Sequence, residues 1–175
     1  FDGHITTDDA IAMLKPKRPL PPDFDPAHFA FDKVMTPTRL LKEGEIIDLG
    51  SFCFEVLVFP AHTTGSVFLL ERERRLLFSG DTVLRGTIWL HLAESAPPEV
   101  VFSTYERLAE YADLVDYVLP AHGVSPQPST ILVELRNVVR EIAAGRVEPV
   151  FEHTFAGDGW LYRSGDFGML FGKKL

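Results

Sequence analysis

Hydrophobic positions in this chain follow two rhythms, and the change from one to the other marks out its elements. From Thr38 the period is two. Residues 45–49 lead through Gly50 into 52–59, where Phe52, Phe54, Val56 and Val58 alternate onto one face of a predicted strand. Residues 66–70 and 75–78 read as a hairpin closed by the charged turn 71–74, whose charges are expected at a solvated tip. Two stretches with helical spacing follow. Residues 97–112 begin with prolines, where a missing N–H costs little, and align Val101, Tyr105, Leu108 and Ala112. Residues 129–144 align Ile131, Leu135, Val138 and Ile142, with Gly145 as the stop. A short apolar strand, 115–119, lies between the helices. Further strands are predicted near 148–154, 160–163 and 167–171. Upstream, residues 1–5 suit a strand, and Thr6 or Thr7 could cap a short helix that Pro16 stops. Residues 15–27, rich in Pro and Asp, read as an irregular connection that could serve as a lid. Strands on both sides of amphipathic helices predict a layered α/β domain.

Composition narrows this picture. A chain of 175 residues with 46% hydrophobic content suits one domain, 1–175, burying roughly 70% of its unfolded surface. A net charge of −8 argues against a generic nucleic-acid or anionic-membrane partner and leaves a small-molecule substrate as the expected ligand. Cys53 is the only cysteine, which excludes an intrachain disulfide and a thiolate zinc site. Within an apolar strand pattern it is expected to be a small buried hydrophobe. No apolar run approaches the roughly 18 residues of a membrane span. No secretory signal is visible, so a cytoplasmic location is expected.

The chemistry sits where strands end. Three times an apolar strand runs into a short turn and then a metal-type ligand: Val-Phe-Pro-Ala-His62, Leu-Phe-Ser-Gly-Asp81 and Val-Leu-Pro-Ala-His122. Neighbouring strand ends can hold such side chains at one point. Two imidazoles and a carboxylate there would suit a divalent cation, and the two oxygens of Asp81 could bridge a pair of them.

Pro60-Ala61-His62-Thr63-Thr64-Gly65-Ser66, Phe78-Ser79-Gly80-Asp81-Thr82 and Leu119-Pro120-Ala121-His122-Gly123 together resemble the P-x-H-T-x-G-S, S-G-D-T and P-x-H-G elements of the metallo-β-lactamase superfamily of metallohydrolases. The resemblance runs from about residue 36 to the C-terminus and includes the lead-in Asp48-Leu49-Gly50. It implies a four-layer αββα sandwich, with His62 on a first metal, Asp81 catalytic and bridging both, and His122 on the second. The implied cofactor is a divalent metal, zinc first, with iron or manganese as alternatives. The implied reaction is hydrolysis by a metal-bound hydroxide.

One family element is missing. H-x-H-x-D-H, which supplies four ligands, has no match; Asp2-Gly3-His4 with Asp8 and Asp9 echoes it at the wrong spacing. The resemblance therefore implies an N-terminally incomplete version of the fold, the C-terminal part of a longer protein. Such a chain alone would bind metal weakly and be inactive, and a homodimer or a partner fragment could cover its open sheet edges. Arg85, Trp89 and His91, which follow Asp81, are candidates for binding an anionic group, walling the site and assisting proton transfer. Each also has an ordinary reading, as a surface cation, a core aromatic and a loop histidine. His153 and His28 are expected to be structural. Esters, thioesters, lactones, amides, phosphoesters and β-lactams all stay open as substrates, because fold does not fix function. The alternatives are a non-catalytic or redox binding module of the same fold and, more remotely, a mononuclear iron(II) site.

Overall fold

The computed structural model describes residues 22–23 and 38–175. The chain divides into two units, Phe1–Leu40 and Leu41–Leu175, and the second carries all the elements described. The strand and helix expected before Pro16, most of the 15–27 connection, and His4 and His28 lie outside the described residues.

The elements in chain order are β1 (Ile46–Asp48), β2 (Cys53–Val58), β3 (Val67–Glu71), β4 (Leu76–Gly80), β5 (Gly86–Leu90), α1 (Pro98–Ala109), β6 (Tyr117–Pro120), β7 (Gln127–Pro128), α2 (Thr130–Ala143), β8 (Val150–Thr154), β9 (Gly157–Ser164) and β10 (Phe167–Phe171). One sheet has the order β1-β2-β3-β4-β6-β7, and the other β5-β10-β9-β8. This is the α/β architecture of mixed sheets with two helices that the sequence pattern predicts, although β5 and β7 were hidden in stretches without clear alternation.

Strand direction positions the site. β3 is antiparallel to both β2 and β4, and β6 is parallel to β4. β2, β4 and β6 therefore run the same way and leave the sheet at one edge. The segments that follow them carry His62, Asp81 and His122.

The helices bury the faces their spacing predicts. Val101, Tyr105 and Leu108 of α1, with Ile131, Leu135, Val138 and Ile142 of α2, join Leu57, Phe59, Phe68 and Leu77 in one core. Fully burying such a side chain stabilises by about 1.5–3 kcal/mol. Across the helix pair, Arg140 donates two hydrogen bonds to Glu106, each 2.6 Å long. Among the described residues no helix is long and apolar enough to cross a membrane.

Two sequence expectations need correction. Cys53 is exposed rather than buried. It opens β2 opposite Asp48 of the short edge strand β1, whereas the core covers β2 only at Val56 and Leu57. Glu71 is not at a solvated tip: it is 1% exposed, ends β3, and accepts hydrogen bonds from the backbone N–H and guanidinium of Arg74. The turn charge was misread because its partner lies three residues on, inside the same turn.

Candidate metal centre at the sheet edge

Asp81 and His122 leave adjacent strands. The parallel register pairs Gly80 with Pro120, and the Ala121 N–H donates to the Gly80 carbonyl at 3.0 Å, so the two exits are tied together. Gly80 has φ +54° and Gly123 has φ +81°, left-handed values that let the chain turn sharply before Asp81 and after His122. From below, the fully buried Tyr105 donates its hydroxyl to the Thr82 carbonyl at 2.6 Å. Burial pushes the Tyr105 phenol well above its ordinary range, so it stays a donor.

His62 sits in a separately braced loop. The Ser95 hydroxyl donates to its carbonyl at 2.8 Å, the Thr104 hydroxyl donates to the Pro60 carbonyl at 2.7 Å, and the Thr63 N–H donates to Ser66 Oγ at 3.0 Å. His62 Nδ1 lies 2.8 Å from the Trp89 carbonyl. A carbonyl only accepts, so Nδ1 carries the proton and Nε2 keeps its lone pair. This is the ring orientation that a metal-ligating histidine requires.

These exits bring one imidazole to each oxygen of the same carboxylate. His62 Nε2 lies 3.8 Å from Asp81 Oδ2, and His122 Nε2 lies 3.5 Å from Asp81 Oδ1. Asp81 Oδ1 is buried and accepts no hydrogen bond, a costly state for a carboxylate unless a cation compensates it. The donor chemistry, the His62 tautomer and this orphaned oxygen fit a divalent cation. The trio does not close unaided: among the described residues, no group of three or more His, Cys, Asp or Glu forms a metal-holding set as it stands.

A cavity of about 400 Å³ opens at this point, lined by the three donors together with Leu84, Thr87, Trp89 and Leu92. Of the other residues singled out from sequence, Trp89 lines it and Arg85 does not. The Arg85 guanidinium donates to Glu134 at 2.8 Å and to Gln127 at 3.1 Å, linking the segment after Asp81 to α2 and β7. An Arg85→Ala variant is therefore expected to lose stability, by about 1 kcal/mol for a half-exposed pair, with a melting point about 3 °C lower. Its KM should stay within about twofold of wild type, because a loss of about 1.4 kcal/mol of direct substrate binding would raise KM tenfold.

His91 also points elsewhere. It lines a smaller cavity of about 250 Å³ with Ser95, Pro97 and Phe171, and its ring packs edge-on to Trp89. Burial, with the nearby His62, holds its pKa below the usual histidine value. His153 is exposed and bonded to Asp158. The cavity residues that sequence reasoning missed are Leu84, Thr87 and Leu92. Thr87 and Trp89 share a face of β5, so recognising that strand would have found one of them.

Comparisons with known proteins identify the family. The family model described as the metallo-beta-lactamase superfamily matches residues 6–122. Over 119 residues the chain is 41% identical to the acyl-coenzyme A thioesterase MBLAC2 of Gallus gallus, covering 65% of this chain and 42% of that protein. Over 115 residues it is 28% identical to a hydroxyacylglutathione hydrolase of Francisella tularensis subsp. holarctica, covering 65% and 45%. A solved metallo-beta-lactamase family protein of Thermus thermophilus matches with a TM-score of 0.55 at 16% identity, covering 82% of this chain and 48% of that one. The chain thus spans less than half the length of the curated relatives it matches.

Proposed function

We propose that this chain, which belongs to the metallo-beta-lactamase superfamily, supplies the downstream share of a metal-dependent hydrolytic site that cleaves a thioester. The reading rests on Asp81, whose two oxygens each face one imidazole while Oδ1 is buried without a hydrogen bond. Its thioester component is supported by relatives described as an acyl-coenzyme A thioesterase and a hydroxyacylglutathione hydrolase.

His62, Asp81 and His122 would hold the cation, with zinc as the first choice because imidazole and carboxylate suit it. When bound, a divalent cation lowers the pKa of water and draws electrons from a carbonyl oxygen. The chain's own residues do the rest. The Trp89 carbonyl fixes the His62 ring so that Nε2 stays available. The Gly80–Ala121 bond and the Tyr105–Thr82 bond keep Asp81 and His122 from drifting apart. Leu84, Trp89 and Leu92 give the cavity apolar walls that limit water beside the reacting group.

The test is release of free thiol from acyl-coenzyme A thioesters by the full-length protein, followed through chelation and zinc readdition. Hydrolysis that disappears with the chelator and returns with zinc is expected. Hydrolysis that ignores the chelator, or activity on lactones or β-lactams with none on thioesters, would reject the reading.

A further inference from the structure

His62 has farther to travel than the other two donors. Asp81 and His122 leave adjacent strands, but β3 stands between β2 and β4 in the sheet order. Neighbouring strands lie about 4.8 Å apart, so the chain leaving β2 must carry His62 across about 10 Å to meet the Asp81 carboxylate. Strand direction alone does not hold it there.

A stretch of chain from the other sheet does. β5 ends at Leu90, and the residues after it meet the His62 loop one by one. The Glu94 carbonyl accepts from the Thr64 N–H at 2.7 Å, the Ser95 hydroxyl donates to the His62 carbonyl at 2.8 Å, and the Ala96 N–H donates to the Ala61 carbonyl at 2.9 Å. From the same stretch, the Trp89 carbonyl takes the proton of His62 Nδ1 at 2.8 Å. Trp89, Glu94 and Ala96 use backbone groups for these bonds, whereas Ser95 uses its side chain. Its bond is also the one that grips the main chain of the ligand residue itself. His62 is therefore fixed at two points, its carbonyl by Ser95 and its ring by Trp89. The first sets the second, because the placement of the main chain decides whether Nδ1 reaches the Trp89 carbonyl and so which nitrogen faces Asp81.

We propose that Ser95 is a positioning residue for the metal centre, holding the His62 main chain where the imidazole presents Nε2 to the cation. This rests on the reading of His62, Asp81 and His122 as metal donors and adds to it the residue that brings the distant donor into place. The metal centre is on this account assembled from both sheets, with Asp81 and His122 set by the exits of β4 and β6 and His62 set by the exit of β5.

The experiment uses the full-length protein and sets Ser95→Ala beside Ser95→Thr and Thr104→Val. Thr keeps the hydroxyl, and its added methyl has beside it the cavity of about 250 Å³ that Ser95 lines. Thr104 is the control, since its hydroxyl also donates to this loop but at the Pro60 carbonyl rather than at His62. Zinc competition should show affinity about tenfold weaker for Ser95→Ala, with Ser95→Thr and Thr104→Val within about twofold of wild type. Thr104→Val should nevertheless melt at least as far below wild type as Ser95→Ala, because it too leaves a carbonyl without its donor. Nitrogen NMR of the histidine-labelled, zinc-free proteins gives a readout that needs no metal. With the ring neutral, wild type and Ser95→Thr should carry the His62 proton on Nδ1, and Ser95→Ala should show a mixture with the Nε2–H form. Unchanged zinc affinity with an unchanged tautomer in Ser95→Ala would overturn the proposal. Equal zinc losses in Ser95→Ala and Thr104→Val would overturn it as well, since any loosening of the loop would then suffice. If the tautomer depends on Ser95 but wild type binds no zinc, the positioning stands and the metal reading falls.

Discussion

Asp81→Ala in the full-length protein is expected to lower kcat/KM by about 10³-fold, or about 4 kcal/mol of transition-state stabilisation, without unfolding it. The carboxylate is the one group among the described residues that faces both imidazoles, so its loss separates two half-sites rather than weakening one contact. Stability should respond in the opposite sense. Asp81 Oδ1 is buried without a hydrogen bond, so removing it relieves a local cost in the metal-free protein. The metal-free variant should melt at or slightly above wild type, while the increase in melting point on adding zinc shrinks or vanishes. Thermal melts with and without zinc, alongside thioester kinetics, check both halves. A metal-free variant that melts several degrees below wild type would mean that Asp81 is structural.

Tyr105→Phe is expected to cost about 2 kcal/mol, or a melting point about 6 °C lower, although it removes a single oxygen. Tyr105 is fully buried and its hydroxyl reaches the Thr82 carbonyl at 2.6 Å. Phe fills the same space, so the loss is not a cavity but a carbonyl acceptor left without its partner. Thr82 is itself buried and adjoins Asp81, so the Asp81 turn loosens along with the core. Zinc affinity should fall with stability, by about tenfold, within the range typical for residues that orient a ligand rather than bind the metal. Denaturant titration and zinc competition check the pair. Lost stability with unchanged zinc affinity would confine Tyr105 to the core.

Legibility in the sequence followed the distance over which each feature is determined. The three strand exits were readable because each is a local string: an apolar strand, a turn-forming pair and a ligand. Both helices were readable because their buried faces repeat at helical spacing, and they end within three residues of expectation. The common direction of β2, β4 and β6 depends on pairing between strands as distant in sequence as β4 and β6, which no local string encodes. Arg85 shows the same limit. Its position after Asp81 suggested an anion site, but its partners Gln127 and Glu134 lie more than forty residues away. Cys53 was misread because alternation reports which residues share a face, not whether that face is covered at the edge of the sheet. Phe155 carried no local signal, since its contact with Trp89 joins residues far apart in the sequence.

The proposed role of Asp81 as the shared ligand is tested most directly by anomalous diffraction at the zinc edge from crystals of the zinc-loaded full-length protein. A peak bounded by His62 Nε2, the Asp81 carboxylate and His122 Nε2 is predicted. Zinc bound elsewhere, with those three side chains ordered and no peak between them, would contradict it.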